Sequence, residues 1–106
     1  MKIVIKKKVS LDFLGDDYKE AYINFNAFSI GDFEIILDQA EEIKEDGKKS
    51  IVFILKVLKE RFIDGKFPNE KGELEDLTAD DLVQFDFEVV NKCFQILSGQ
   101  NPDPKS

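Results

Sequence analysis

A chain of 106 residues has the length of one small domain, and 42% hydrophobic residues including ten Phe are enough for one core. Twenty-two acidic against fifteen basic side chains leave a net charge of −7, which excludes general attraction to phosphate backbones or anionic lipid. The chain contains no histidine, so the commonest general base, the histidine dyads and triads and most transition-metal sites are excluded with it.

The elements follow in chain order. Ile3, Ile5, Val9, Leu11 and Phe13 share one parity and Lys2, Lys6, Lys8, Ser10 and Asp12 the other, the alternation of a half-buried strand. Lys7 is the exception. The early lysines read as the solvated face and edge of that strand, where they discourage pairing with foreign strands. After Gly15, Asp16 and Asp17 a second alternation sets Ala21, Ile23, Phe25 and Ala27 against Glu20, Tyr22, Asn24 and Asn26, so the two segments read as an antiparallel hairpin. An isolated hairpin is marginal in water, and helices must cover it.

Ser29 and Asp32 have the spacing of a capping box, which predicts a helix over residues 30–46. Gly47 is its expected stop. From Ser50 to Ile63 apolar residues crowd all but a narrow polar side, predicting a largely buried second helix that ends before Gly65. The stretch from Asp64 to Asp76, with two Gly and one Pro, reads as a loop with a brief extended pair around Asn69 to Gly72. Thr78 and Asp81 repeat the capping-box spacing before a short helix. Asp86 then caps a last helix with an apolar stripe of Phe87, Val90, Cys93, Phe94 and Leu97, stopped by Gly99. Residues 100–106 carry two prolines and no apolar anchor, so they read as a flexible tail. The expected fold is α+β, an N-terminal antiparallel hairpin followed by three to four packed helices, in one domain over residues 1–99.

Few residues in the chain suit catalytic or metal chemistry. The single cysteine, Cys93, has no disulfide partner and falls in an apolar stripe, where a thiol is hidden and its pKa raised. With no signal-peptide pattern in MKIVIKKKV, this points to a reducing, cytoplasmic setting. No apolar run nears the roughly 18 residues of a membrane span. Asp64 and Glu75 stand as first and twelfth residues of a calcium loop, but Lys66 and Pro68 take the third and fifth ligand places and Gly72 the ninth. The reading is non-catalytic, with no metal, no cofactor, no nucleic acid and no membrane partner. Self-association is left open.

One charge feature stands out. Nine acids lie between Asp64 and Glu88, among them Asp76, Asp80 and Asp81, against Lys66 and Lys71 alone. With Phe67, Leu74 and Leu77 as apolar anchors, this segment suits a docking surface for a basic partner.

The order ILKVLKERF, then FIDGKFPNEKGEL, then LTADDLVQFDFEVVNKCFQILSGQ resembles the tail assembly chaperones of long-tailed phages and prophages of Gram-positive bacteria. The resemblance covers residues 51–100 best. It implies a scaffold role: binding the tape-measure protein, keeping it soluble, bringing tail-tube subunits to it, and leaving before the virion is complete. In such phages a frameshift near the end of the short form often adds a second domain, and residues 101–106 would sit near that junction. A long, apolar, helical tape-measure protein calls for apolar grooves, and Phe33, Leu37, Phe62 and Phe94 are the expected lining. The rival reading is a structural tail component, a tail-completion or tube-associated subunit, for which a hairpin offers strand addition to a neighbour.

Overall fold

A computed structural model describes Met1 and residues 3–99; the tail expected at 100–106 lies outside the described residues. The N-terminal half opens as predicted, with β1 (Lys6–Ser10) antiparallel to β2 (Tyr22–Asn26). Two single turns of 3-10 helix, Asp12–Leu14 and Asp16–Tyr18, connect them. Then follow α1 (Ile30–Ile43), α2 (Gly47–Arg61), β3 (Phe62–Pro68), β4 (Leu74–Asp76), a 3-10 helix at Ala79–Gln84, and α3 (Phe87–Leu97). The four strands form one antiparallel sheet in the order β1-β2-β3-β4. The fold is α+β, with the hairpin placed first.

The alternation sorts the sheet into two faces. Val9, Ile23 and Phe25 point inward, where Leu11, Ala21, Leu58 of α2, Leu82, and Val89, Val90, Cys93 and Leu97 of α3 complete one buried cluster. The outer face is polar. There Lys8 lies 4.8 Å from the Tyr22 ring, the Asn24 side-chain amide donates to Asp64 at 2.7 Å, and Lys66 pairs with Asp76 at 2.9 Å.

Five expectations are corrected. First, Ile3 and Ile5 do not join the buried face: they are exposed, because β1 begins at Lys6 and the core reaches only Val9 and Leu11. Second, Gly47 does not stop α1; it is the first residue of α2. The Asp46 carboxylate accepts from the Lys49 amide at 3.1 Å, so the Asp-Gly pair is a helix start. Third, α2 is not largely buried. Only Val57 and Leu58 are fully inside and Val52 is well exposed, since a single face of the helix meets the sheet and α3. Fourth, the stretch read as a loop holds the second hairpin: β3 follows Arg61 directly and pairs with β2 and β4, with its tip at Asn69–Glu73. Fifth, Phe87 lies outside the apolar stripe of α3, exposed at its first turn, while Val89 takes the buried place.

The local signals fare better. Both capping boxes form, Ser29 with Asp32 and Thr78 with Asp81, and the Asp86 carboxylate caps α3 through the Val89 amide. Gly99 closes α3 at φ 83°, a conformation that favours glycine.

Only Ile36 of α1 is buried, and its start is held by polar contacts. Arg61 pairs with Asp32 at 2.9 Å, donates to the Ala27 carbonyl at 3.1 Å and lies 5.0 Å from the Phe28 ring. The Arg61 hydrogen bond, followed by those from Ser29, holds the Asp32 carboxyl below its ordinary value. A depressed folded-state pKa gives stability that is present above the unfolded value of 3.8 and lost as pH falls through the folded one. Below pH 3.8, the start of α1 should therefore fray before the sheet opens. Amide exchange near Ser29 checks this, and Asp32→Asn should reproduce the fraying at neutral pH.

Candidate functional site

The acidic segment folds back on the sheet, and its two ends close a groove of about 530 Å³. Phe67 and Pro68 enter from β3, Glu75 and Asp76 from β4, Leu77 from the segment that leads into the 3-10 helix, and Asp81 from that helix itself. Gln84, Phe85, Asp86 and Val89 close the far side, and Leu14 reaches in from the β1–β2 connection. The floor is apolar and the rim acidic. Phe67 is fixed from two sides, stacked on Tyr18 at 5.3 Å and edge-on to Phe85 at 5.0 Å. Leu77 is fixed by its backbone, which donates to the Gly65 carbonyl at 2.9 Å.

The four acidic residues of the groove differ in what they already hold. Asp76 lines the groove at β4 but turns its carboxylate to the outer face, where it pairs with Lys66 and raises the Lys66 amine above its ordinary value. Asp81 accepts from the Thr78 amide at 2.8 Å and from the Gln84 amide group at 3.0 Å. Asp86 caps α3. The Glu75 carboxylate makes no hydrogen bond or ion pair among the described residues, so its charge is free for a ligand. Among the described residues no lysine or arginine lines the groove. It can offer an apolar seat to a bulky side chain and carboxylates to flanking cations.

Of the residues expected from sequence to bind a partner, Phe67, Leu77, Asp76 and Asp81 meet here. Asp80 is fully exposed beside the groove, 3.7 Å from Lys59 of α2. Leu74 lies on the outer sheet face of β4, beside Pro68 and away from the floor. The other expected lining does not form one groove. Phe62 opens β3 and packs edge-on against buried Phe25 at 6.3 Å, while Leu37 is exposed on α1. Phe33 and Phe94 each meet Phe28, at 6.4 and 6.2 Å, and Phe94 also meets Phe53, an aromatic seam between α1, α2 and α3.

Sequence reasoning missed Leu14, Gln84, Phe85 and Val89 as lining. Phe85 had a usable signal, an apolar residue just before the Asp86 cap, the place of a hydrophobic staple. Leu14 had none, because only the meander brings the first connection to the last helix.

No family model matches the chain, and no curated protein or solved structure is similar to it. The remaining candidate chemistry can be read from geometry alone. Cys93 is buried on α3 and desolvation pushes its thiol up to about 12, so it stays protonated and shielded at neutral pH. Asp64 sits in β3 bound to Asn24, and among the described residues no group of three or more acidic or cysteine side chains could hold a metal ion. Among the described residues no helix is long and apolar enough to cross a membrane.

Proposed function

We propose that this chain is a non-catalytic protein-binding module, and that its role is that of a tail assembly chaperone which holds the tape-measure protein and brings tail-tube subunits to it. The observation that carries the binding role is the groove of Phe67, Leu77 and Phe85 rimmed by the carboxylates of Glu75, Asp81 and Asp86. It matches a segment that carries a large apolar side chain flanked by Lys or Arg. The phage assignment rests on the resemblance over residues 51–100. The bound client stays soluble because its apolar side chain is covered while the complex presents an acidic exterior.

Co-expression with a candidate tape-measure protein should render that protein soluble and let the two co-purify. Gln84→Lys, which puts a cation on the rim without touching the core, should weaken the complex about tenfold. An insoluble client, or a complex indifferent to Gln84→Lys, overturns the assignment of this groove.

A second reading, a structural tail component, is favoured by the open edge of β1 and the exposed Ile3, Val4 and Ile5 beside it. Mass spectrometry of purified virions separates the two, since a chaperone is absent from the particle and a structural subunit is present.

A further inference from the structure

Among the described residues the sheet has two open edges, and they carry opposite charge. β1 presents Lys6, Lys7 and Lys8 at one end; β4 and the residue before it present Glu73, Glu75 and Asp76 at the other. From this we infer that a second copy of the chain adds its β1 edge to the β4 edge of the first, extending the sheet head to tail.

The backbone is set for this. The Ala27 amide donates to the Ile5 carbonyl and the Leu11 amide to the Ala21 carbonyl, so the odd residues of β1 are bonded to β2. By the alternation of an antiparallel ladder, the amides and carbonyls of Lys6, Lys8 and Ser10 point to the free side. The same logic holds at the other end. Leu77 bonds Gly65 and Asn69 bonds Glu73, which leaves the backbone groups of Leu74 and Asp76 pointing away from β3.

Topology fixes the direction and the register. With four strands alternating in direction, a copy shifted sideways without rotation sets its β1 antiparallel to the neighbour's β4, and all inner faces stay on one side. Pairing Lys6 with Asp76 and Lys8 with Leu74 joins residues whose backbone groups both face the gap. That register also sets Lys7 opposite Glu75, the free carboxylate of the groove rim, and brings Ile5, which is 63% exposed, opposite Leu77. The exposed apolar residue then gains cover at the end of the groove floor.

Charge also selects against the alternatives. Pairing β1 with β1 sets lysine against lysine, and β4 with β4 sets acid against acid, so the two-fold dimers are disfavoured. A translational contact leaves an open edge at each end, so growth continues to a ring or a filament.

Sedimentation velocity on the full chain tests this in two salt concentrations. Self-association should appear with rising protein concentration at low salt, with its midpoint displaced about tenfold or more between roughly 50 mM and 500 mM salt. Lys6→Glu with Lys7→Glu should be monomeric alone, and so should Glu73→Lys with Glu75→Lys, a pair that leaves the Lys66–Asp76 bridge intact. Mixing the two variants should restore assembly, because each acidic edge then meets a basic one. That restoration also shows both variants to be folded. If one variant fails by circular dichroism, the single changes Lys7→Glu and Glu75→Lys replace the doubles. A wild-type chain that stays monomeric at low salt overturns the inference, and so do folded variants that associate like wild type or stay apart when mixed.

Discussion

Phe25→Ala is expected to destabilise the domain by about 3–5 kcal/mol, the range for truncating a fully buried aromatic residue. Phe25 is 0% exposed on the inner face of β2, with the Phe62 ring edge-on at 6.3 Å. The cost has two parts, the lost transfer of the ring from water and a cavity that strand neighbours cannot collapse to fill. A domain of this size has a total stability of about 5–15 kcal/mol, so a loss on this scale moves the thermal midpoint down by roughly 12 °C or more. Ile35→Ala is the control, because Ile35 is 59% exposed and its truncation should change stability by no more than about 0.5 kcal/mol. Urea titrations of the two variants should separate clearly. Equal midpoints would mean that the sheet's inner face is not the core.

The contrast between those residues shows what was legible. Ile23 and Phe25 could be placed from sequence because strand alternation is a local rule that burial reinforces. The caps at Ser29, Thr78 and Asp86 were equally legible, since each rests on bonds that span three residues. The failures occurred where local signals conflict with tertiary context. Gly65 and Pro68 look like loop residues, yet they lie in a strand, because the close approach of β2 demands glycine at one and β4 pairs with the other. Gly47 could end one helix or begin the next, and the Asp46 cap decided it. In the groove, Phe67, Leu77, Asp76 and Asp81 were accessible because acids and apolar anchors share one short segment. Leu14 and Val89 were not, since the contact belongs to the topology.

Gly65→Val should cost about 3 kcal/mol, the upper part of the range for overpacking a filled site. A Cβ at Gly65 would stand 2.7 Å from the Tyr22 carbonyl oxygen, 3.2 Å from the Ile23 Cα and 3.2 Å from the Leu77 side chain. The nearest of these belongs to the β2 backbone, which cannot rotate aside, so β2 and β3 must separate at the middle of the sheet. Relief by side-chain truncation therefore fails: Leu77→Ala removes one contact and leaves the carbonyl clash, and the double variant should be no more stable than Gly65→Val. Full rescue by Leu77→Ala would show instead that the crowding lies in the groove floor. The strain also reaches the proposed docking groove, because the Leu77 amide hangs on the Gly65 carbonyl at 2.9 Å and its side chain forms part of the floor. A milder change, Gly65→Ala, should cost about 1–3 kcal/mol while leaving most of the chain folded. Its client affinity should still fall under those conditions, although Gly65 does not line the groove, and a binding titration beside a denaturant titration reads the two effects separately.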